Sequence, residues 1–388
     1  MEQLLFFLVG KSVHLQSFSD NPKKDIKAKA LKRVLLVLFT VLLHSSAFAV
    51  SNDKEPEQKG SLKEEIKAYI QHHLKDSHDF YLGSYRDGDK KKYIGYIGLP
   101  VILWDNGLKV FSSAKFKHGK AVVQKGSAYY KLYHGKIYKT DSIGTISYNE
   151  ENYPPNEKPL DLSMTKSVMT MLFTALLMFF LFSSLASSYS KNGNIAMGVG
   201  RFFEPIILYV RDDIAIPYIG EKHYGRYMSF LLTVFFFIWF LNLLGLTPLG
   251  INVTGNIAVT FGLALITFLL TNLTANKNYW AHIFWMPGVP VLMKIALMPI
   301  ELLGVIIKPF SLLIRLYANM QAGHIVLMSL IGLMFIFNNW IGSSLSFVLS
   351  FAISIIELLV AALQAYIFTM LSALYFGFAV EEHHDQAH

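Results

Sequence analysis

Long uncharged runs dominate the second half of this chain, whereas the first half alternates polar and apolar residues over short distances. Four runs without a charged side chain cover residues 167–190, 227–276, 316–356 and 358–380. About 20 residues of helix cross the hydrocarbon core of a bilayer, so the second run holds two spans, divided at Thr247-Pro248-Leu249-Gly250. The pattern predicts five membrane elements in a mainly α-helical membrane protein.

The last two of these elements are expected to be unusually long. As one helix, residues 291–337 would measure roughly 70 Å, more than twice the ~30 Å hydrocarbon core. We therefore expect a strongly tilted helix with kinks at Pro299 and Pro309. Residues 341–380 would return beside it, which gives a long tilted antiparallel hairpin with its turn close to Trp340.

The segment ahead of the first span has the pattern of a small soluble module. Residues 61–76 open with a Ser-x-x-Glu capping box and are expected to be helical. Short Tyr, Ile and Val runs follow, broken by turn pairs such as Asn106-Gly107 and His134-Gly135, which favour β-hairpins. We expect a β-rich module over residues 50–160, closed by a linker at Tyr153-Pro154-Pro155-Asn156, and a multi-pass membrane domain over 161–388.

The first 49 residues have the order of a secretory signal. Six basic residues between Lys23 and Arg33 precede the apolar run Val34–Leu43, and Ala47-Phe48-Ala49 provides an A-x-A cleavage site. An N-terminal membrane anchor is the alternative. A cleaved signal would place the β-rich module on the extracytoplasmic side.

Composition excludes several classes of protein. The chain is 53% hydrophobic and 16% charged, too few charges for soluble domains alone. Its net charge of +8 belongs to residues 1–166, which hold 26 Lys and Arg against 18 Asp and Glu, so it gives no reason to expect a nucleic-acid partner. Cysteine is absent, and no nucleotide-binding or hydrolase fingerprint occurs. We therefore expect no cofactor and no catalysis by this chain alone.

The module's histidines are the remaining metal-ligand candidates, and they lack the spacing of a helical metal site. A place on the surface is the preferred interpretation. The five are His72, His73, His78, His118 and His134.

Basic residues in the loops predict an orientation. The connection after the first span carries five of them, and the one after the third carries Lys277 and Lys294, whereas the connections around Pro248 and Asn338 carry none. By the positive-inside rule the charged loops are cytoplasmic, with an amphipathic segment after the first span. The N-terminal module would then be periplasmic and the C-terminus cytoplasmic. The five basic residues are Lys191, Arg201, Arg211, Lys222 and Arg226.

A few polar side chains interrupt the apolar hairpin, and such residues at membrane depth are functional candidates. Seven-residue spacing puts Glu301, Lys308 and Arg315 on one helical stripe, whereas His324 faces elsewhere. If the hairpin turns near Trp340, residues whose numbers sum to about 680 share a depth, which pairs two sets of polar residues. The pairs are Arg315 with Gln364 and His324 with Glu357, and Asn319 lies one turn beyond Arg315.

These residue types favour proton transport. A histidine and a carboxylate within hydrogen-bond reach can pass a proton, whereas an arginine stays charged and acts as a fixed cation. The carboxylate that faces Arg315 would belong to another protein, because Glu301 lies about 21 Å away along the axis. The alternatives are snorkelling or pairing for Glu301 and Lys308, a purely structural role for Arg315, and interhelical hydrogen bonds for the remaining residues.

Residues 308–324, KPFSLLIRLYANMQAGH, resemble the KP-x-S-L-x-x-RL-x-x-NM-x-AG-(E/H) signature of subunit a of the rotary F-type ATP synthases. The segments LQAYIF at 363–368, NLLGLTP at 242–248 and YIQHHL at 69–74 resemble further motifs of that family. Residues 82–153 form an insertion that the motifs do not explain.

The resemblance implies a proton-conducting stator subunit with two half-channels. Arg315 would face the carboxylate of a c-ring, and His324 and Glu357 would occupy positions where many bacterial members have Glu and His in the opposite order. Gln364 and Asn319 match polar residues near the arginine. A peripheral stalk subunit b, other subunits of the complex and the bilayer would be the remaining partners. A secondary ion antiporter and a polytopic scaffold are the alternatives.

Overall fold

The computed structural model describes residues 63, 66–67, 70, 74–80, 83–87, 90–117, 119–148, 154–191, 198, 200–247, 251–286, 288–337 and 339–381. The expected signal, residues 1–49, lies outside the described residues, as do His72, His73, His118 and the chain end at 382–388. Helices predominate in the described part. Four of them are long and apolar enough to cross a membrane, and a bent pair makes five if it counts as one span.

Ten short strands precede the first long helix. They are β1 (Asp79–Phe80), β2 (Gly83–Asp87), β3 (Lys90–Ile94), β4 (Ile97–Gly98), β5 (Pro100–Trp104), β6 (Leu108–Ser112), β7 (Val122–Lys125), β8 (Ala128–Tyr133), β9 (Lys136–Thr140) and β10 (Leu160–Asp161). They pair antiparallel in four sheets, ordered β1-β4, β2-β3, β10-β5-β6 and β7-β8-β9. Buried Val101, Leu103, Phe111 and Tyr130 of β5, β6 and β8 form a core with Phe116.

Two of the predicted hairpin turns occur where expected. Asn106 and Gly107 join β5 to β6, and His134 and Gly135 join β8 to β9, all four with positive φ. Left-handed backbone at both central residues matches the right-handed twist of the flanking strands. Ahead of the strands, the described residues of the expected 61–76 helix are helical up to Leu74, whereas Lys75 and Asp76 lie beyond the helix.

The segment predicted as a linker instead packs on the module. The Lys139 amide donates to the Glu157 carbonyl at 2.9 Å, and the Asn156 side chain donates to the Lys139 carbonyl at 3.2 Å. Strand β10 then pairs with β5, and the contact continues to Met164, whose amide donates to the Pro100 carbonyl. The module therefore reaches almost to the first membrane helix.

Eight helices and a π-helical turn complete the described chain. They are α1 (Lys166–Lys191), α2 (Gly200–Tyr209), the π turn (Val210–Ala215), α3 (Ile216–Ile219), α4 (Tyr224–Gly245), α5 (Ile257–Leu273), α6 (Lys277–Phe284), α7 (Val291–Ile336) and α8 (Trp340–Val380). Helix α4 packs in the centre, with Leu231, Phe236 and Ile238 fully buried.

The third predicted span differs from expectation because it is broken. Helices α5 and α6 meet at 99°, so the Lys277 region is helical rather than a simple loop. Asn276 holds the bend against the end of α8: its amide donates to the Ala379 carbonyl at 2.8 Å and its side chain to the Val380 carbonyl at 3.0 Å. These bonds supply partners for terminal carbonyls that a helix cannot satisfy internally.

The long hairpin is present. Helix α7 has 46 residues and stays helical through both Pro299 and Pro309, and α8 has 41. Residues 337–339 connect them, and the Ser343 hydroxyl donates back to the carbonyls of Met334 and Phe337. The turn therefore lies at the predicted place, directly before Trp340.

Candidate functional site

The polar residues of the hairpin fall into three groups by exposure. His324, Glu357 and Gln364 are buried, with relative exposures of 4%, 4% and 3%. Arg315 and Asn319 are exposed on the outer surface of α7. The secondary candidates Glu301 and Lys308 are half-buried nearer the start of that helix.

His324 lies between two backbone carbonyls. Its Nδ1 is 3.2 Å from the Met320 oxygen on its own helix, and its Nε2 is 3.2 Å from the Gly245 oxygen at the end of α4. A neutral imidazole has one N–H donor, so only the protonated ring can donate to both carbonyls at once. The neutral ring donates to only one of the two carbonyls, which leaves the other contact without a hydrogen.

Glu357 sits over the backbone of α7. A Cβ added at Gly323 would collide with its carboxylate, so the carboxylate occupies the space that this glycine leaves. Its Oε1 is buried with no hydrogen-bond partner among the described residues. A buried carboxylate oxygen without a donor needs a proton or a water molecule.

His324 and Glu357 thus lie at a similar depth in the hairpin, as predicted, but their side chains are not directly hydrogen-bonded. Glu357 meets α7 at Gly323, and the two numbers sum to 680, as the depth rule requires. The described contacts include no hydrogen bond or ion pair between the imidazole and the carboxylate; the imidazole turns to α4 instead. A proton passing between them would need a water molecule in the gap.

Arg315 lies on an open face. It is about 36 Å from the start of α7 and about 32 Å from its end, at 1.5 Å per residue. No hydrogen bond or ion pair of its guanidinium appears within the described part of the chain; Asn319 shares its exposed face, and Tyr375 of α8 is close enough to interact with it electrostatically. Leu359 and Leu363 of α8 are exposed as well.

Two asparagines on other elements bond to the hairpin, and the sequence motifs did not assign them a role. Asn242 of α4 is fully buried; its amide donates to the Ala361 carbonyl at 3.2 Å and its oxygen accepts from the Thr254 hydroxyl at 2.7 Å. Asn252 faces the Met320 carbonyl at 3.4 Å and the Gln321 side-chain oxygen at 3.5 Å. The loop between α4 and α5 therefore reaches the His324 level.

A cavity of about 290 Å³ opens near the start of α7. Lys308 lies over the rings of Tyr375 and Phe378, at 5.8 and 5.4 Å from their centroids. Lys308 and Glu301 of this cavity lie about 24 Å and about 35 Å along α7 from His324, on the other side of Arg315. Its polar lining is Asn278, Tyr279, His282, Glu301, Lys308 and Glu381.

Of the module's five histidines the structure describes His78 and His134, and the described residues contain no cluster of three candidate metal ligands. The prediction of a surface position is wrong for His78, which is 5% exposed. Its Nε2 lies 3.0 Å from the Asp161 carboxylate on β10. Burial raises the pKa of Asp161, but the hydrogen bonds from His78 and Ser163 outweigh it and hold that pKa below its usual value.

Comparison with known families gives two matches along the chain. The family model described as "ATP synthase A chain" matches residues 168–377, which is more than half of the chain. A domain of unknown function, DUF8433, matches residues 69–162. The second match covers the β-rich module and stops just before α1.

Three similar proteins are named ATP synthase subunit a. An "ATP synthase subunit a" of Chloroherpeton thalassium is 41% identical over 237 residues, 59% of this chain and 70% of the relative. One of Myxococcus xanthus is 43% identical over 235 residues, covering 58% and 76%. One of Pelodictyon phaeoclathratiforme is 41% identical over 261 residues, covering 64% and 76%.

Proposed function

Because the chain belongs to the ATP synthase A chain family, we propose that it is the proton-conducting stator subunit of an ATP synthase membrane sector. It is a multi-pass membrane protein and a transporting subunit, not an enzyme on its own. The antiporter alternative finds no support among the relatives. Proton flow through this chain would be coupled to rotation of a partner ring and so to ATP synthesis elsewhere in the complex.

Arg315 is the single observation that carries this proposal. A charge in the middle of a helix about 69 Å long is too far from either end to reach water by snorkelling. Its face is open and is bordered by Ala318 and Ala322, which leave room for a close neighbour. A carboxylate on a c-ring would meet the guanidinium there, and the fixed cation would force that carboxylate to release its proton.

The buried and half-buried groups would form two half-channels offset on either side of Arg315. His324, Glu357 and Gln364 would serve the side of the β-rich module, with Asn319 beside the arginine. Glu301, Lys308 and the 290 Å³ cavity would serve the opposite side. Because the described candidate residues fall into these two groups with Arg315 between them, a proton would travel on the ring from one group to the other.

The orientation and partners follow the same proposal. Residues 1–49 would be a signal, residues 50–160 a periplasmic module, and residues 161–388 the membrane domain of a bacterial inner-membrane protein. The C-terminus and the amphipathic α2 region would be cytoplasmic. A c-ring and a peripheral stalk subunit b would be the direct partners within the complex.

The test is ATP-driven proton pumping by the whole complex in inverted membrane vesicles. Arg315→Ala should abolish pumping. Without the fixed cation, ring carboxylates could pass residue 315 without releasing their protons, or protons could leak between the two half-channels. Ile325→Ala is the matched control: Ile325 is 40% exposed on the same helix and should leave pumping near the wild-type rate. Assembly is checked by subunit composition after purification. Wild-type pumping by an assembled Arg315→Ala complex would overturn the proposal.

A further inference from the structure

Ionisable residues gather where the β-rich module meets the membrane helices. Most of them are satisfied within the module: His78 pairs with Asp161, and the Asp79 carboxylate accepts from the Ser113 hydroxyl at 2.7 Å and the Tyr96 hydroxyl at 3.0 Å. Pairs of this kind hold a fold together. They join residues of the module to one another, although Nδ1 of His78 has no hydrogen-bond partner among the described residues.

Asp76 is arranged differently, because its two oxygens have different roles. Oδ1 accepts from the backbone amides of Ser77 at 3.0 Å and Ser167 at 3.2 Å, so it caps the start of α1. Oδ2 points away from the module to the Asn256 side chain of the α4–α5 loop, 3.5 Å away. One carboxylate thus touches both the module and the membrane domain.

The outer side of Asp76 opens to a large cleft. This cleft, of about 540 Å³, is a solvent space in the module, and Asp76 forms part of its wall. Any pH response at Asp76 also reflects the basic groups that face it here and from α1. These are Lys75, His134, Lys136 and Lys158 of the cleft, and Lys166 of α1.

The inner side of Asp76 leads to the His324 level. Asn256 and Asn252 belong to one short loop, and Asn252 faces the Met320 carbonyl at 3.4 Å. That same carbonyl lies 3.2 Å from Nδ1 of His324. Polar groups therefore follow one another from the cleft to His324, beside a core of Leu241, Ile251 and Val253. Amides do not hold protons, so water molecules between them would carry the charge.

We propose that Asp76 is the outermost proton-accepting residue of the half-channel on the module's side, held by the module where the cleft meets the α4–α5 loop. Its carboxylate takes a proton from hydronium in the cleft, which leaves water, and gives it to a water molecule beside Asn256, which regenerates the carboxylate. This inference rests on the proposed function. It gives the β-rich module a role: the module supplies the mouth of the path.

The first test compares Asp76→Asn with Asp76→Glu in the assembled complex. ATP-driven pumping is measured while the pH in the lumen of the vesicles is varied, because the module faces the lumen. Asparagine keeps an oxygen for the cap of α1 but cannot titrate. It should lower the rate about tenfold and flatten the pH profile, whereas glutamate should keep most of the rate. Asp79→Asn is the matched control and should leave the pH profile unchanged.

A second test avoids any difference in folding between variants. The chain has no cysteine, so Asp76→Cys adds a single thiol to it. Iodoacetate converts that thiol to a carboxylate, and iodoacetamide converts it to an amide of the same shape. The carboxylate should restore pumping and the amide should not, after subtraction of reagent effects on the wild-type complex.

Two results would overturn the inference. Asp76→Asn could pump with the wild-type rate and pH profile, or the two thiol adducts could behave alike, which would leave Asp76 only its role in capping α1. Failure of the underlying proposal looks different. In that case Arg315→Ala would still pump, whatever happens at residue 76.

Discussion

Both the β-rich module and the α7–α8 hairpin contain ionisable groups away from water, but only the module pairs them. In the module, the Asp105 carboxylate accepts from Tyr130 at 2.6 Å and from Lys139 at 3.3 Å. In the hairpin, the described contacts give Arg315 no ion pair and leave one oxygen of Glu357 without a donor. The cost of an unpaired charge is greatest in a membrane, so the unpaired groups are where function is expected and the paired ones are where stability is expected.

The largest effect on pumping is expected when the unpaired carboxylate of Glu357 is displaced, which tests the division between paired and unpaired groups most directly. Gly323→Ala would put a methyl group where the Glu357 carboxylate now lies. Because a positioned proton acceptor contributes roughly 100-fold or more to proton transfer, pumping by the assembled complex should fall on the order of 100-fold.

A glycine on the same helix provides the control for that change. Gly304 has no atom within 4 Å of an added Cβ, so Gly304→Ala should pump normally. Equal pumping by the two variants would mean that the position of Glu357 does not matter.

A hydrogen-bonded polar group in the membrane domain should contribute to stability, as the paired groups of the module do. Asn242→Leu removes the donor to the Ala361 carbonyl and the acceptor for the Thr254 hydroxyl. Leaving such groups unpaired costs about 2 kcal/mol, which should appear as a lower thermal stability of the purified complex.

Thr233→Val is the matched change for Asn242, since the exposed Thr233 hydroxyl bonds only within its own helix. It should leave the melting temperature unchanged. If Asn242→Leu removed pumping from a complex of normal stability, the division between paired and unpaired groups would fail.

The smallest effect is expected in the module, and it depends on pH. The hydrogen bond from Tyr130 lowers the pKa of Asp105 against the opposing effect of burial, and Lys139 and Lys109 lower it further. A carboxyl with a lowered pKa in the folded state stabilises that state above about pH 4, and this contribution is lost as the pH falls through the folded pKa. Asp105→Asn should therefore cost about 1 kcal/mol at pH 7 and progressively less below pH 4.

The buried Ala128 allows this to be measured in the full chain. Ala128→Cys would place a single thiol in the module's core, and its alkylation in urea would report unfolding of that region. Glu157→Gln is the control; Glu157 has a 71% exposed side chain, and its pair with Lys139 should give no measurable change. If Asp105→Asn lowered the stability of the module equally at every pH, the ionised form of Asp105 would not be the source of the stabilisation.

The sequence predicted the hairpin well because its signals are simple. The uncharged runs gave the helix lengths, and four polar residues gave the register in which Glu357 meets α7 at Gly323. The partners of His324 could not be predicted in this way. They are backbone carbonyls of Gly245 and Met320, and a carbonyl has no signature in the sequence.

Two other features escaped prediction because they depend on distant contacts. His78 is buried by a strand 83 residues further along the chain, where Asp161 lies. The bend between α5 and α6 falls at Thr274 to Asn276, which contain neither glycine nor proline, and it is held by the end of α8. The module's role is also hidden from pattern reading, because Asp76 resembles any polar residue at the end of a helix.

The two prolines inside α7 have a mechanical consequence. Each removes one backbone hydrogen bond from the helix, and they lie about 15 Å apart in its first half. A helix under a lateral force bends most easily where its backbone hydrogen bonds are missing. Elastic bending of α7 should therefore concentrate between Pro299 and Pro309, which leaves the stretch that carries Arg315 and His324 stiff while torque acts on it.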